Sequence, residues 1–259
     1  MLGLFDSGLG GLTVLRRVRQ QLPEHDVLFF ADQAHVPYGD RSPEELTRLL
    51  RHNLGWLDSQ GVDAVIMACN TSCAVADRAG WPPTRAIVLD LIESAAIAVQ
   101  RAGYEQIGVV ATAATAHSGS YGRQICLRVP GAHVTEIGAP KLVPLVEAGR
   151  LDGPEPRAAV QEYCAQLPPD LDAIVLACTH YPMLDAHFAS ALGKNVARID
   201  PAIVQAERAV QLVRERGFKS GSGRTRFVTN GDVDAFRRNV ANILNIADPL
   251  AESLEPLAL

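Results

Sequence analysis

The sequence predicts an α/β protein made of two similar doubly wound parallel-sheet domains, with its site in the cleft between them. Three observations carry that expectation. Short β-type runs alternate with helix-length segments, which is the pattern of βαβ units. The runs are apolar on both faces, as strands of a parallel sheet covered on each side by helices must be. One pattern also occurs twice, Asp63-Ala-Val-Ile-Met-Ala-Cys69 and Asp172-Ala-Ile-Val-Leu-Ala-Cys178. A weaker pair, Gly3-Leu-Phe5 and Gly108-Val-Val110, lies at nearly the same spacing. Two strands repeating together indicate two related lobes, the first starting at Met1 and the second near residues 95–105.

The elements follow in order. Leu2–Phe5 is a first strand, broken by Asp6-Ser-Gly-Leu-Gly-Gly11 before a helix over Gly11–Gln21. Val27–Ala31 is a second strand; the loop after it, Asp32 to Gly39, ends in a Pro37-Tyr38-Gly39 turn whose backbone N–H groups suit a carboxylate. The helix over Pro43–Ser59 starts with Ser42 as cap, a first-turn proline and the acids Glu44 and Glu45. Further strands are read at Ala64–Ala68, Ala86–Leu89, Ile107–Ala111, Ala173–Ala177, Val196–Ile199 and Thr225–Val228, with a helix over Pro201–Arg216 before the last.

Composition narrows the function. The 259 residues are 47% hydrophobic and 20% charged, enough to bury a core. Twenty-four basic against 29 acidic residues leave a net charge of −5 with no block of one sign, so neither nucleic acid nor a membrane surface is indicated as partner. No apolar run approaches the ~20 residues of a membrane helix, and the start has no signal-peptide pattern, so the cytoplasm is expected. The five cysteines are odd in number and scattered, and are read as thiols.

In open α/β sheets ligands sit beyond the carboxyl ends of strands, where helix N-termini offer free N–H groups. Four polar segments fall there: Asp6–Gly11, Cys69–Ser72, Thr112–Ser118 and Cys178–Tyr181. Cys69 and Cys178 each close a buried strand ahead of a helix, a setting that favours a thiolate base or nucleophile. A single cysteine there is ordinarily packing. Two at equivalent repeat positions would present two thiols across one cleft. Zinc-type spacing is absent, so no metal is expected. The Asp6–Gly11 loop lacks the lysine and full glycine spacing of nucleotide-binding loops, and its Asp-Ser is equally a helix cap. His180 and Glu147 are candidate acid–base helpers.

Taken together these segments resemble the glutamate racemases of the cofactor-independent aspartate/glutamate racemase superfamily. The matching pieces are Phe5-Asp-Ser-Gly-Leu-Gly-Gly-Leu-Thr-Val14, Ala31-Asp32 with Pro37-Tyr-Gly39, Ala68-Cys-Asn-Thr71 and Ala111-Thr112 with Thr115 and Ser118-Gly-Ser-Tyr121. Cys178-Thr-His-Tyr-Pro182, Ile199-Asp-Pro201 and Phe227-Val-Thr-Asn-Gly-Asp232 complete the set, in order over essentially the whole chain. Departures are Ser72-Cys73, Ala177 and Ser94, none at a position the chemistry needs.

The resemblance implies that the last strand and helix return to complete the first domain, giving 1–95 plus 206–259 and 96–205. It implies that Cys69 and Cys178 are acid/bases on opposite faces of the substrate α-carbon, assisted by Asp6, Glu147 and His180. Ser7, Pro37, Tyr38, Gly39, Asn70, Thr71, Thr115 and Thr179 would bind the substrate, glutamate. No cofactor and no metal are implied, and a homodimer is expected, supplying D-glutamate for peptidoglycan. A symmetric pair of acid/bases suits a protein of two similar lobes. The competing readings are an aspartate or hydantoin racemase, a two-lobed binding protein without turnover, and a cysteine hydrolase using His180. The first is disfavoured by His180 and the Pro37-Tyr38-Gly39 turn, the second by two oxidisable thiols in an open site, the third because it leaves Cys69 unused.

Overall fold

The computed structural model describes residues 1–259. The chain runs β1 (Leu2–Asp6), α1 (Gly11–Gln21), β2 (Val27–Ala31), α2 (Pro43–Ser59), β3 (Ala64–Met67), α3 (Asn70–Ala79), β4 (Ile87–Leu89) and α4 (Leu91–Ala102). It continues with β5 (Gln106–Ala111), α5 (Ala113–Ser118), α6 (Ser120–Arg128), β6 (His133–Gly138), α7 (Leu142–Glu147), α8 (Pro154–Cys164), β7 (Ala173–Ala177), α9 (Asp185–Leu192) and β8 (Ala197–Ile199). It closes with α10 (Pro201–Arg216), β9 (Thr225–Thr229), α11 (Val233–Leu244) and β10 (Ala251–Ser253).

All strand pairs are parallel. They form a six-stranded sheet, β10-β9-β2-β1-β3-β4, and a four-stranded sheet, β6-β5-β7-β8. The order β2-β1-β3-β4 in the first is the order β6-β5-β7-β8 in the second, so the sequence repeat is a repeat of topology. Its two patterns are β3 and β7, each beside the first strand of its lobe. The shared aspartate has a structural job at both places. Asp63 pairs with the Met1 amino group at 2.5 Å, and Asp172 accepts the backbone N–H groups of Glu105 and Gln106 at 2.8 Å, so each pins the start of the neighbouring strand.

The period-two alternation of side chains sorts the strands between apolar layers. Phe5, Val65, Met67, Ile107, Val109 and Val175 share one core that runs between the sheets. Leu2, Leu4, Ile66 and Phe29 face a second core under α1 and α10, and Val110, Ile174 and Leu176 a third under α8 and α9. Only α4 and α10 carry the chain between sheets, one outward from β4 to β5 and one back from β8 to β9.

Two strands escape the sequence reading. β6 is a half-buried edge strand, His-Val-Thr-Glu-Ile-Gly, so it lacks the continuous apolar run of a central strand; β10 is three residues at the other edge. The Ser42 cap of α2 is present as expected, and it closes into a capping box, Ser42 Oγ accepting from Glu45 N and Glu45 accepting from Ser42 N. No helix is long and apolar enough to cross a membrane.

Candidate active site

The carboxyl ends of β1 and β3 face those of β5 and β7 across a cleft, and a cavity of about 40 Å³ lies between them. Cys69 and Cys178 both line it, one from each sheet, 3% and 6% exposed. Cys69 is the residue that caps α3, and no side chain occupies the cap, so its sulfur sits at the positive end of that helix beside uncapped first-turn N–H groups.

On one wall, Cys178 Sγ lies 3.6 Å from His180 Nδ1, and His180 Nε2 donates to Glu147 Oε1 at 2.5 Å. Burial of His180 acts against its charge, but the hydrogen bonds and charges of Cys178 and Glu147 overcome this and hold the imidazolium well above the usual histidine range. The Glu147 carboxyl is correspondingly low: burial raises it, and His180 outweighs burial. The three side chains form a relay that ends at the Cys178 sulfur.

The opposite wall is built differently. Burial first, then the Asp6 carboxylate, push the Cys69 thiol up to about 11, against the Ser7 and Ser72 hydroxyls and the Ser72 N–H, which favour the thiolate; Cys69 Sγ lies 3.4 Å from Ser7 Oγ. Asp6 is itself raised by burial, opposed by His180 and by the backbone N–H groups of its own loop. Asp6 Oδ2 accepts from Gly11 N at 2.6 Å, whereas Oδ1 is buried without a partner. An orphaned carboxylate oxygen in the cavity wall is a ready acceptor for a proton or an ammonium group.

Pro37, Tyr38, Gly39, Asn70, Thr71 and Thr179 line the same cavity, as do Asp6, Ser7 and His180. Glu147 stands behind His180. Thr115 does not reach the cavity: its hydroxyl is fully buried and closes a triangle with Thr112 and Thr71 at 2.9 and 3.2 Å, and Thr112 takes the lining position. The Asp32–Gly39 loop differs from expectation too. Asp32 is fully buried and accepts from His35, Tyr38, Asn53 and Asn230, so it is the anchor that holds the turn, not a part of the exposed loop. The sequence also gave no sign that Tyr121 donates to Asn70 Oδ1 from the other lobe, since the two meet only once both sheets are in place. No three His, Cys, Asp or Glu side chains converge as a metal site.

The model of the Asp/Glu/Hydantoin racemase family matches residues 11–209. A glutamate racemase from Gloeobacter violaceus is 44% identical over 234 residues, covering 90% of this chain and 88% of its own. Among solved structures, glutamate racemase from Thermus thermophilus in complex with β-chloro-D-alanine is 33% identical with a TM-score of 0.85, covering 98% of this chain and 96% of that one. Glutamate racemase from Francisella tularensis in complex with D-glutamate is 28% identical with a TM-score of 0.89, covering 98% and 97%.

Proposed function

The chain belongs to the Asp/Glu/Hydantoin racemase family, and on that premise we propose that it interconverts L- and D-glutamate through two thiols. The observation that carries the reading is that Cys69 and Cys178, at equivalent ends of β3 and β7, line one cavity. In the L-to-D direction the Cys178 thiolate takes the α-proton and Cys69 S–H delivers one to the opposite face; the D-to-L direction is the reverse. One C–H bond breaks, one forms, and the sulfurs exchange protonation states. The resting asymmetry suits this, with a high thiol at Cys69 and an imidazolium-paired sulfur at Cys178. One face thus holds a thiol kept protonated, and the other a sulfur set against a histidine–glutamate pair.

The N-terminus of α3 and the Ser7, Asn70, Thr71 and Thr179 groups are assigned to the substrate carboxylates and ammonium, stabilising the carbanion by fixed donors. Asp6 assists Cys69; His180 with Glu147 assists Cys178. Thr115 acts through Thr71 and Thr112. The lobes are taken as 1–95 with 206–259, and 96–205, supported by the strands each sheet contains. A cytoplasmic homodimer supplying D-glutamate to peptidoglycan precursors completes the proposal.

Circular dichroism is expected to decay to zero from either L- or D-glutamate, with full activity after dialysis against chelator and no visible absorbance from a bound aldehyde. Activity that returns only with zinc or pyridoxal phosphate would overturn the mechanism. Glutamate is expected to exceed aspartate in kcat/KM by a wide margin; equal values, or a preference for aspartate, would move the assignment to an aspartate racemase. The Cys178–His180–Glu147 relay alone would also serve a cysteine hydrolase. Turnover of esters or amides without inversion of glutamate would select that reading.

A further inference from the structure

Gln205, on the returning helix α10, is 0% exposed and uses every hydrogen-bonding atom of its side chain. Its Nε2 donates to the carbonyl of Met67, the last residue of β3, and to that of Leu89, the last residue of β4, each at 2.8 Å. Its Oε1 accepts from Ser94 Oγ on α4 at 2.5 Å. Flipping the amide would set its oxygen against two carbonyls, so the orientation is fixed by the partners. Arg208, one turn further along α10, donates to Ser94 Oγ and to the Asp90 carbonyl at 2.8 Å each, which locks the serine in turn.

This clasp stands where the two interlobe helices cross, and it holds the chain two residues before Cys69. Ala68, between Met67 and Cys69, is tied from the other side, its N–H donating to Phe5 O at 2.8 Å. Gln205 makes no hydrogen bond to β7, the strand that carries Cys178. The two thiols occupy equivalent positions in the lobes, but only one of them has this support.

We propose that Gln205 is a positioning residue for Cys69: its amide stitches the ends of β3 and β4 to α4 and so sets that thiol against its face of the substrate α-carbon. The inference rests on the two-thiol reading above. Loss of the amide slows proton transfer at Cys69 and leaves transfer at Cys178 as it was.

Because the equilibrium constant between enantiomers is unity, kcat/KM falls equally in both directions whatever step is slowed, so rate alone cannot identify the thiol. Substrate deuterium isotope effects can. The proton that Cys69 removes comes from D-glutamate, so with Gln205→Met the effect of α-deuteration rises for D-glutamate, where the slowed step breaks the labelled bond. It falls for L-glutamate, where bond breaking at Cys178 becomes a reversible prelude. The fall in kcat/KM is expected to be roughly tenfold, below the ~10²-fold that a 1 Å misplacement brings.

Ser94→Ala removes the partner of Oε1, and with it the hydroxyl that Arg208 holds, while both Nε2 bonds stay in place; it serves as the milder variant if Gln205→Met does not fold and gives the same split with smaller amplitude. Isotope effects that move together in the two directions, or that stay at wild-type values in a folded variant of lowered activity, mean that Gln205 only stabilises the fold. Full activity and unchanged isotope effects in Gln205→Met overturn the proposal outright. Absence of inversion in the unsubstituted protein would instead remove the racemase reading itself.

Discussion

Gly10→Ala is expected to lower kcat/KM for glutamate by about 10²-fold in a protein that still folds. A Cβ on Gly10 would lie 2.3 Å from Thr179 Oγ1 and 2.7 Å from the Thr179 carbonyl carbon. The second distance decides the matter, because a hydroxyl can turn aside and a backbone carbon cannot. Gly10 has φ −58°, ordinary helical backbone, so the need for glycine is not conformational. It comes from the closeness of the two lobes: Gly10 leads into α1 on one side of the cleft, and Thr179 sits between Cys178 and His180 on the other. Displacing Thr179 displaces the sulfur and its imidazole partner together. Gly55→Ala is the matched control, since a Cβ there meets nothing within 4 Å in the middle of α2. It should leave kcat/KM unchanged and stabilise the helix by up to ~1 kcal/mol. Steady-state kinetics with thermal melts of both variants check the pair. Near-normal kcat/KM in Gly10→Ala would show that the cleft relaxes to admit a methyl group.

The residues most legible in the sequence are those whose role depends on their own strand or turn. Cys69 and Cys178 could be located because each ends a buried apolar strand and the two strands repeat. The Ser42 cap, with its first-turn proline and acids, is likewise contained within four residues. What stayed hidden depends on partners brought in by the fold. Asp32 lies in a run with the composition of a surface loop, but Asn230, which reaches it from after β9, helps to make it a buried anchor. Thr115 and Thr112 are three apart on one helical turn, and which of them faces the cavity is set by Thr71 on the other lobe. Gln205 has no motif at all; its meaning arises only where α10 meets the ends of β3 and β4.

The symmetric pair of acid/bases expected from the repeat is set in two unlike walls. Topology is duplicated, but the electrostatics are not. The Cys69 wall has a buried carboxylate with a free oxygen, and the Cys178 wall has a histidine–glutamate pair. Symmetry is required of the complete cycle, because the two enantiomers have equal free energy. It is not required of the empty enzyme, whose two walls are built from different groups.

Replacing either thiol is expected to have the largest effect of any substitution. In Cys69→Ala and in Cys178→Ala, inversion should fall in both directions together, by at least the ~10²–10⁴-fold that a positioned acid–base group contributes. The two falls are locked to one another by the unit equilibrium constant. The mutants differ in what remains. With Cys178 intact, the α-proton of L-glutamate can still be removed, but a carbanion with no donor on its far face can only take a proton back on the side it lost one. With Cys69 intact, the same holds for D-glutamate. In D₂O, ¹H NMR should therefore show loss of the α-proton signal without inversion for L-glutamate in Cys69→Ala and for D-glutamate in Cys178→Ala. The opposite enantiomer should be inert in each case. Both cysteines are buried, and Cys→Ala removes only a sulfur, so the fold is expected to survive and the exchange assay to report on chemistry. Near-normal inversion in either variant would make that cysteine a packing residue and end the two-thiol mechanism.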